Sequence, residues 1–170
     1  ILIDAEGYTD YLQELGKVAE VDIQSFQDLK DALQKRIEYF DENGCKLCDH
    51  GLNAMSFAEF TEAEINAIFK NKLSGKEVSA TDAEKFKTAI LLSLSETYHQ
   101  FGWVQQFHLG ALRNNNKRML AQLGPDTGWD SIGDYSQAEK LSRFLNTLDG
   151  KDKLTKTILY NLNPADNEVF

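Results

Sequence analysis

The stretch Gly102-Trp103-Val104-Gln105-Gln106-Phe107-His108-Leu109 decides the fold class. Before it, Phe86, Ile90, Leu94 and Tyr98 recur at four-residue spacing, the stripe of an amphipathic helix, and Gly102 stands where a C-terminal capping glycine would turn the chain out of that helix. The segment after Gly102 is short, apolar-rich and no longer helical in period. Gly44 takes the same place before Cys45–His50, and Thr157-Ile158-Leu159-Tyr160 carries the β-branched and aromatic residues that strands prefer. Cys45–His50, Trp103–Leu109 and Thr157–Leu162 are therefore expected to be three buried strands. Long helical stretches separate them, so the connections are crossovers and the sheet is parallel. The fold class is α/β.

Helix starts are marked by Ser25 with Asp28, Thr61 with Glu64, Thr81 with Glu84 and Ser136 with Glu139, a capping oxygen three residues before an acid in each case; the last three pairs are full capping boxes. Apolar stripes come after them: Leu29, Leu33, Ile37 and Phe40; Ile65, Ile68 and Phe69; Leu141, Phe144, Leu145 and Leu148. Tyr11, Leu12 and Leu15 add a short helix before the first of these. The connection from Leu52 to Gln100 carries two helices where one would complete a crossover, which predicts a helical insertion near 57–80. With two prolines in the chain, no Pro-rich linker divides it. The expected organisation is a helical region over 1–42 that leads into an α/β region over 43–170.

Composition narrows the function. At 170 residues the chain is long enough for one domain with a real core. Its net charge of −9 and pI near 4.8 repel a phosphate backbone, and no Lys/Arg stripe offsets them, so nucleic acid is a poor partner. A mean hydropathy of −0.44 and the absence of any apolar run near the roughly 20 residues a bilayer requires argue against a membrane protein. Two cysteines are too few for a disulfide scaffold, and Ile1-Leu2-Ile3-Asp4 opens no signal peptide. A cytoplasmic location is expected. The missing initiator Met also suggests an internal piece of a longer chain.

All three strand candidates end in polar residues: Asp49-His50-Gly51, then His108 with Arg113 and Asn114-Asn115-Asn116, then Asn161-Leu162-Asn163-Pro164-Ala165-Asp166. In parallel α/β folds ligands bind at such carboxyl ends. Asn116 and Asp166 also read as ordinary helix caps. His108 reads either as a structural hydrogen-bonding residue or as a site residue, and Arg113 favours the site, since a guanidinium fork matches a carboxylate or phosphate. Cys45-Lys46-Leu47-Cys48 matches C-x-x-C, yet no second ligand pair exists for zinc, and redox pairs start helices whereas this one falls in a strand. Buried thiols are the expected outcome. Gly124–Gly128 lacks the spacing of a phosphate loop and reads as a turn, with Trp129 and Tyr135 as packing anchors.

Three blocks carry a resemblance. Phe101–Asn116 (FGWVQQFHLGALRNNN) followed by Leu123–Gly128 (LGPDTG), Gly44–Leu52 (GCKLCDHGL) and Lys156–Asn167 (KTILYNLNPADN) are similar, in order and spacing, to the bacterial uronate (glucuronate) isomerase family. The likeness runs over nearly the whole chain, with Cys48 standing where the family often has Ser. It implies a partial (β/α)8 barrel of the amidohydrolase superfamily, with about three parallel strands and an added helical insertion. It also implies a cytoplasmic aldose–ketose isomerisation, D-glucuronate to D-fructuronate and D-galacturonate to D-tagaturonate, with a small hexuronate as substrate and a possible homo-oligomer of the full-length protein.

On that resemblance Asp49 and His108 are the catalytic candidates, facing sugar hydroxyls or a metal-bound water. His50, Arg113 and Asn161 are the substrate-binding candidates, with Arg113 as the clamp on the uronate carboxylate. The superfamily's divalent metal, often zinc, is held by a His-x-His pair on the first strand and an Asp on the last. Neither is here, because the histidines are His50, His99 and His108. The chain therefore resembles the middle of the enzyme, with no metal ligands of its own. A metal-dependent hydrolase of the same superfamily and a non-catalytic helical module are the competing readings.

Overall fold

The computed structural model describes residues 1–170. Strands β1 (Leu47–Leu52), β2 (Val104–Leu109) and β5 (Thr157–Asn161) form a parallel sheet in the order β1-β2-β5. The first crossover contains α3 (Glu62–Leu73) and α4 (Ala80–Phe101), the two helices the spacing predicts. The second contains β3 (Ala111–Leu112), α5 (Lys117–Leu123), β4 (Ser131–Ile132) and α6 (Ala138–Asp149), with β3 and β4 paired as a small antiparallel ribbon. Helices α1 (Tyr8–Ala19) and α2 (Phe26–Glu42) precede the sheet. No helix is long and apolar enough to cross a membrane.

Both predicted glycine stops are present and end their helices with the same pair of hydrogen bonds. Gly102 adopts φ +66°, its amide and that of Trp103 return to His99 and Tyr98, and β2 starts at Val104, one residue past the expected Trp103, and ends at Leu109 as expected. Gly44, at φ +89°, ends α2 in the same way, its amide and that of Cys45 returning to the Asp41 and Phe40 carbonyls. β1 nevertheless starts at Leu47, two residues past the expected Cys45, and runs on to Leu52.

The expectation of buried strands holds for one face only. Along β2, Gln105, Phe107 and Leu109 are buried while Val104, Gln106 and His108 are half-exposed. Parallel neighbours share a face, so the register places Leu47, Asp49 and Gly51 of β1 and Ile158 and Tyr160 of β5 beside that second set. Helices cover one face and leave the other open.

Behind the covered face, Phe107 and Leu109 pack with Leu91, Leu92, Met55, Phe144 and Leu148. A larger core joins α1, α2, α3 and α4 through Tyr8, Phe26, Phe69 and Phe86, so α3 and α4 share one interior with the first two. Capping boxes close at Ser25/Asp28 and at Thr61/Glu64. The aspartate of the first reaches back as well as a glutamate would, contrary to expectation. The other two boxes are not made: Ser79 caps α4 by accepting from the Asp82 amide, and α6 starts at Ala138 behind Gln137, leaving Thr81 and Ser136 without that role.

Candidate functional site

The polar residues of the open face converge on the carboxyl ends of β1 and β2. His108 Nδ1 lies 2.6 Å from Asp49 Oδ1, a diagonal reach across the ladder in which Asp49 is level with Gln106 and His108 with Gly51. An aspartate carboxylate accepts from Nδ1–H, which in the neutral ring leaves the lone pair on Nε2. The imidazole stacks on Tyr160, rings 4.3 Å apart and tilted by 5°, and the Tyr160 hydroxyl donates to Gln106 Oε1 at 2.9 Å. The ring is thus held by a carboxylate on one side and an aromatic plane on another. About half of each side chain of the pair stays open to solvent.

Arg113 lies just past β3 and turns back toward this pair. Its Nη1 donates to Asp130 Oδ2 at 3.0 Å, with Asp126 at 3.8 Å, while Asp130 also accepts from the Asn114 amide. Its Nη2 lies 3.3 Å from where a side chain at Gly51 would begin. The lack of a Cβ at Gly51, level with His108, lets one arm of the guanidinium lie over the strand end. Asp49, His108 and Arg113 are therefore brought to one strand end, and of the three only Arg113 reaches the neighbouring cleft of about 550 Å³ that Gly51, Leu52, Asn53, Lys87 and Lys140 help to line.

His50 and Asn161 are not brought to them. His50 points to the covered face, where Nε2 lies 3.1 Å from the Tyr98 hydroxyl and the ring stacks on Phe107 at 5.8 Å. Burial lowers its pKa from 6.5 to about 4, and burial also raises the Tyr98 phenol, so both are neutral at pH 7. Asn161 Nδ2 donates to the Asn163 carbonyl and to Asn167 Oδ1, which holds the turn after β5.

Because the folded pKa of His50 lies below the unfolded one, the unfolded chain binds the proton first. Its contribution to stability is complete above about pH 6.5 and declines as pH falls toward about 4. Thermal unfolding across that window should show a steeper acid-side loss in the parent than in His50→Gln, and equal slopes would contradict the assignment.

The remaining candidate residues take structural places. Asn116 caps α5 by accepting from the Met119 amide, and Asn163, not Asp166, caps the short 3₁₀ turn Pro164–Asp166. Tyr135 packs on Gly133, where an added Cβ would lie 2.1 Å from its ring. Cys45 and Cys48 are free thiols, and burial pushes Cys48 up to about 11, so it stays protonated. No group of three or more His, Cys, Asp or Glu side chains could hold a metal ion, and Asp49 and His108 spend their facing atoms on each other. The donors of this chain do not fit a metal site. Sequence reasoning missed Gln106, Tyr160 and Asp130; counting by two along aligned strands from His108 would have found the first two.

Comparison with known proteins places the chain in a family. The sequence model of the glucuronate isomerase family matches residues 1–170. The uronate isomerase of Flavobacterium johnsoniae is 65% identical over 170 residues, all of this chain and 36% of that protein, and that of Cellvibrio japonicus is 52% identical over 167 residues, 98% of this chain and 36% of its own. A crystal structure of uronate isomerase from Thermotoga maritima superposes with a TM-score of 0.89 at 32% identity, covering 96% of this chain and 36% of that one. A glucuronate isomerase structure from Caulobacter crescentus gives 0.86 at 25% identity, covering 98% of this chain and 34% of its own. The chain spans about a third of the length of these relatives. With its sequence matched from end to end and its sheet, crossovers and helices superposing on a solved member, the chain belongs to the glucuronate isomerase family.

Proposed function

We propose that this chain is the central part of a uronate isomerase that interconverts D-glucuronate with D-fructuronate and D-galacturonate with D-tagaturonate. In this reading the three parallel strands are an arc of a (β/α)8 barrel, and the open face of the sheet is its interior. Residues 1–42 belong to a helical region leading into the barrel, and 43–170 to its middle portion with the insertion near 57–80. The observation that carries the reading is the Asp49–His108 pair at 2.6 Å beside the Arg113 guanidinium, on the one face that helices leave uncovered.

Moving a carbonyl from C1 to C2 needs a base for the C2 proton, stabilisation of the enediolate and return of the proton to C1. Nε2 of His108 faces outward with a lone pair, and Asp49 behind Nδ1 stabilises the imidazolium formed when it takes a proton from a sugar hydroxyl. Asp130 holds Arg113 by Nη1, which leaves its remaining N–H groups for the carboxylate that every uronate carries. His50 and Asn161 serve this site from behind, His50 through Phe107 and Tyr98 and Asn161 through the turn after β5. A divalent cation, zinc on the family resemblance, would be held by residues outside this chain.

The full-length protein should form ketose from D-glucuronate or D-galacturonate, whereas residues 1–170 alone should form none. Turnover by the 170-residue chain would overturn the reading of it as a part, and no turnover of either uronate by the folded, metal-loaded parent would overturn the function.

A further inference from the structure

We infer that Gln137 is a positioning residue for this site, locking together the loops that leave the carboxyl ends of all three parallel strands; the inference rests on the isomerase reading. Gln137 stands at the N-cap position of α6 yet makes no side-chain cap. It is 2% exposed and directs its amide inward. Oε1 accepts from the Met55 amide at 3.3 Å and Nε2 donates to the Asn53 carbonyl at 3.0 Å, so both polar atoms are spent on the loop after β1.

From there a chain of hydrogen bonds continues. The Asn53 carbonyl also accepts from Gly110, the residue after β2, at 2.9 Å. The Gly110 carbonyl accepts from the Gly133 amide at 2.8 Å, just past β4, and the Gly133 carbonyl accepts from Asn163 Nδ2 at 3.4 Å, past β5. Gly110 holds φ +96°, and a Cβ built on it would lie 3.6 Å from the Leu162 amide nitrogen, so the relay runs where backbones come close. Asp49 lies on the strand that leads to Asn53, His108 two residues before Gly110, and Arg113 on the ribbon between Gly110 and Gly133. A residue that fixes Asn53 against Gly110 and Gly133 therefore fixes the relative heights of the carboxylate, the imidazole and the guanidinium.

The requirement is specific to glutamine, because the position needs one donor and one acceptor at opposite ends of a planar amide. Gln137→Leu keeps the volume and removes both bonds. Gln137→Glu keeps an acceptor for Met55 and replaces the donor to Asn53 with a second acceptor that repels that carbonyl.

The test uses the full-length protein and two readouts, amide hydrogen exchange at Met55 and Gly110 and steady-state kinetics with D-glucuronate and D-galacturonate. In Gln137→Leu both amides should exchange about tenfold faster or more, and kcat/KM of the folded enzyme should fall by about tenfold or more, with KM raised as Arg113 shifts. A merely structural glutamine would lower the melting temperature and leave the KM and kcat of the folded fraction unmoved, and that result would overturn the inference. Should Gln137→Leu fail to fold, Gln137→Glu should unprotect the Gly110 amide while Met55 stays protected; equal protection of both would overturn it. If the parent turns over neither uronate, the functional reading falls while exchange still decides the clamp, faster exchange supporting it and unchanged protection refuting it.

Discussion

His108→Asn in the full-length enzyme is expected to lower kcat for D-glucuronate by roughly 10²–10⁴-fold while moving KM little, the usual scale of a positioned proton-transfer group. The reason is geometric. Nδ1 of His108 is committed to Asp49 at 2.6 Å and the ring lies flat on Tyr160, so Nε2 is the nitrogen left to face a ligand on the open side of the sheet. Asparagine can still donate toward Asp49, and its small planar amide can lie against Tyr160, but it offers no nitrogen that accepts a proton. Asp49→Asn should act in the same direction, since an amide facing Nδ1 no longer selects the tautomer with its lone pair on Nε2. Unchanged turnover in His108→Asn would remove the pair from the chemistry and leave it as a cross-strand tie.

Phe86→Ala carries the largest expected effect on stability, about 3–5 kcal/mol, the range for deleting a fully buried aromatic ring. Phe86 is 0% exposed and is shared by three other helices. It stacks on Phe69 of α3 at 5.9 Å, meets Tyr8 of α1 edge-on at 6.2 Å, and meets Phe26 of α2 at 5.5 Å. Each neighbour is fixed by the others, so the site cannot collapse to fill the void, and a cavity that stays open gives the upper part of the range. Denaturant unfolding of the full-length protein should show the loss as a lower midpoint, beside a control such as Tyr39→Ala on the solvent side of α2, where the ring is half-exposed. A change under about 1 kcal/mol at Phe86 would mean that the four helices do not form one core.

Most of the scaffold is legible in the sequence because its signals are local. Gly102 ends α4 and Trp103 opens the way to β2, and the Ser25 and Thr61 boxes start α2 and α3, all within a few residues of each other. Helix α5 is not legible: none of its seven residues is buried, so no apolar stripe marks it. Ser136 with Glu139 has the pattern of a capping box, yet the helix starts one residue later than that box would place it, with Gln137 turned inward to Asn53 and Met55, a tertiary demand that local pattern does not encode.

The site is half legible for a related reason. Asp49 and His50 are adjacent, and a strand sends adjacent side chains to opposite faces, so both cannot reach one pocket. That alternation alone separates His50 from Asp49. Which of the two meets His108 depends on the register between β1 and β2, and register is set by packing over the whole sheet. Arg113 can be matched to an anion by its chemistry, but its path over Gly51 depends on Asp130, seventeen residues away in sequence.

The most direct test of the central claim, that this face receives a uronate by its carboxylate, is the steady-state kinetics of Arg113→Met in the full-length protein with D-glucuronate. The account predicts KM raised by roughly 10–100-fold with kcat much less affected, the loss of a charge-assisted hydrogen bond to the substrate. A KM equal to the parent's, in a folded variant, would contradict it and leave Arg113 as a partner of Asp130 alone.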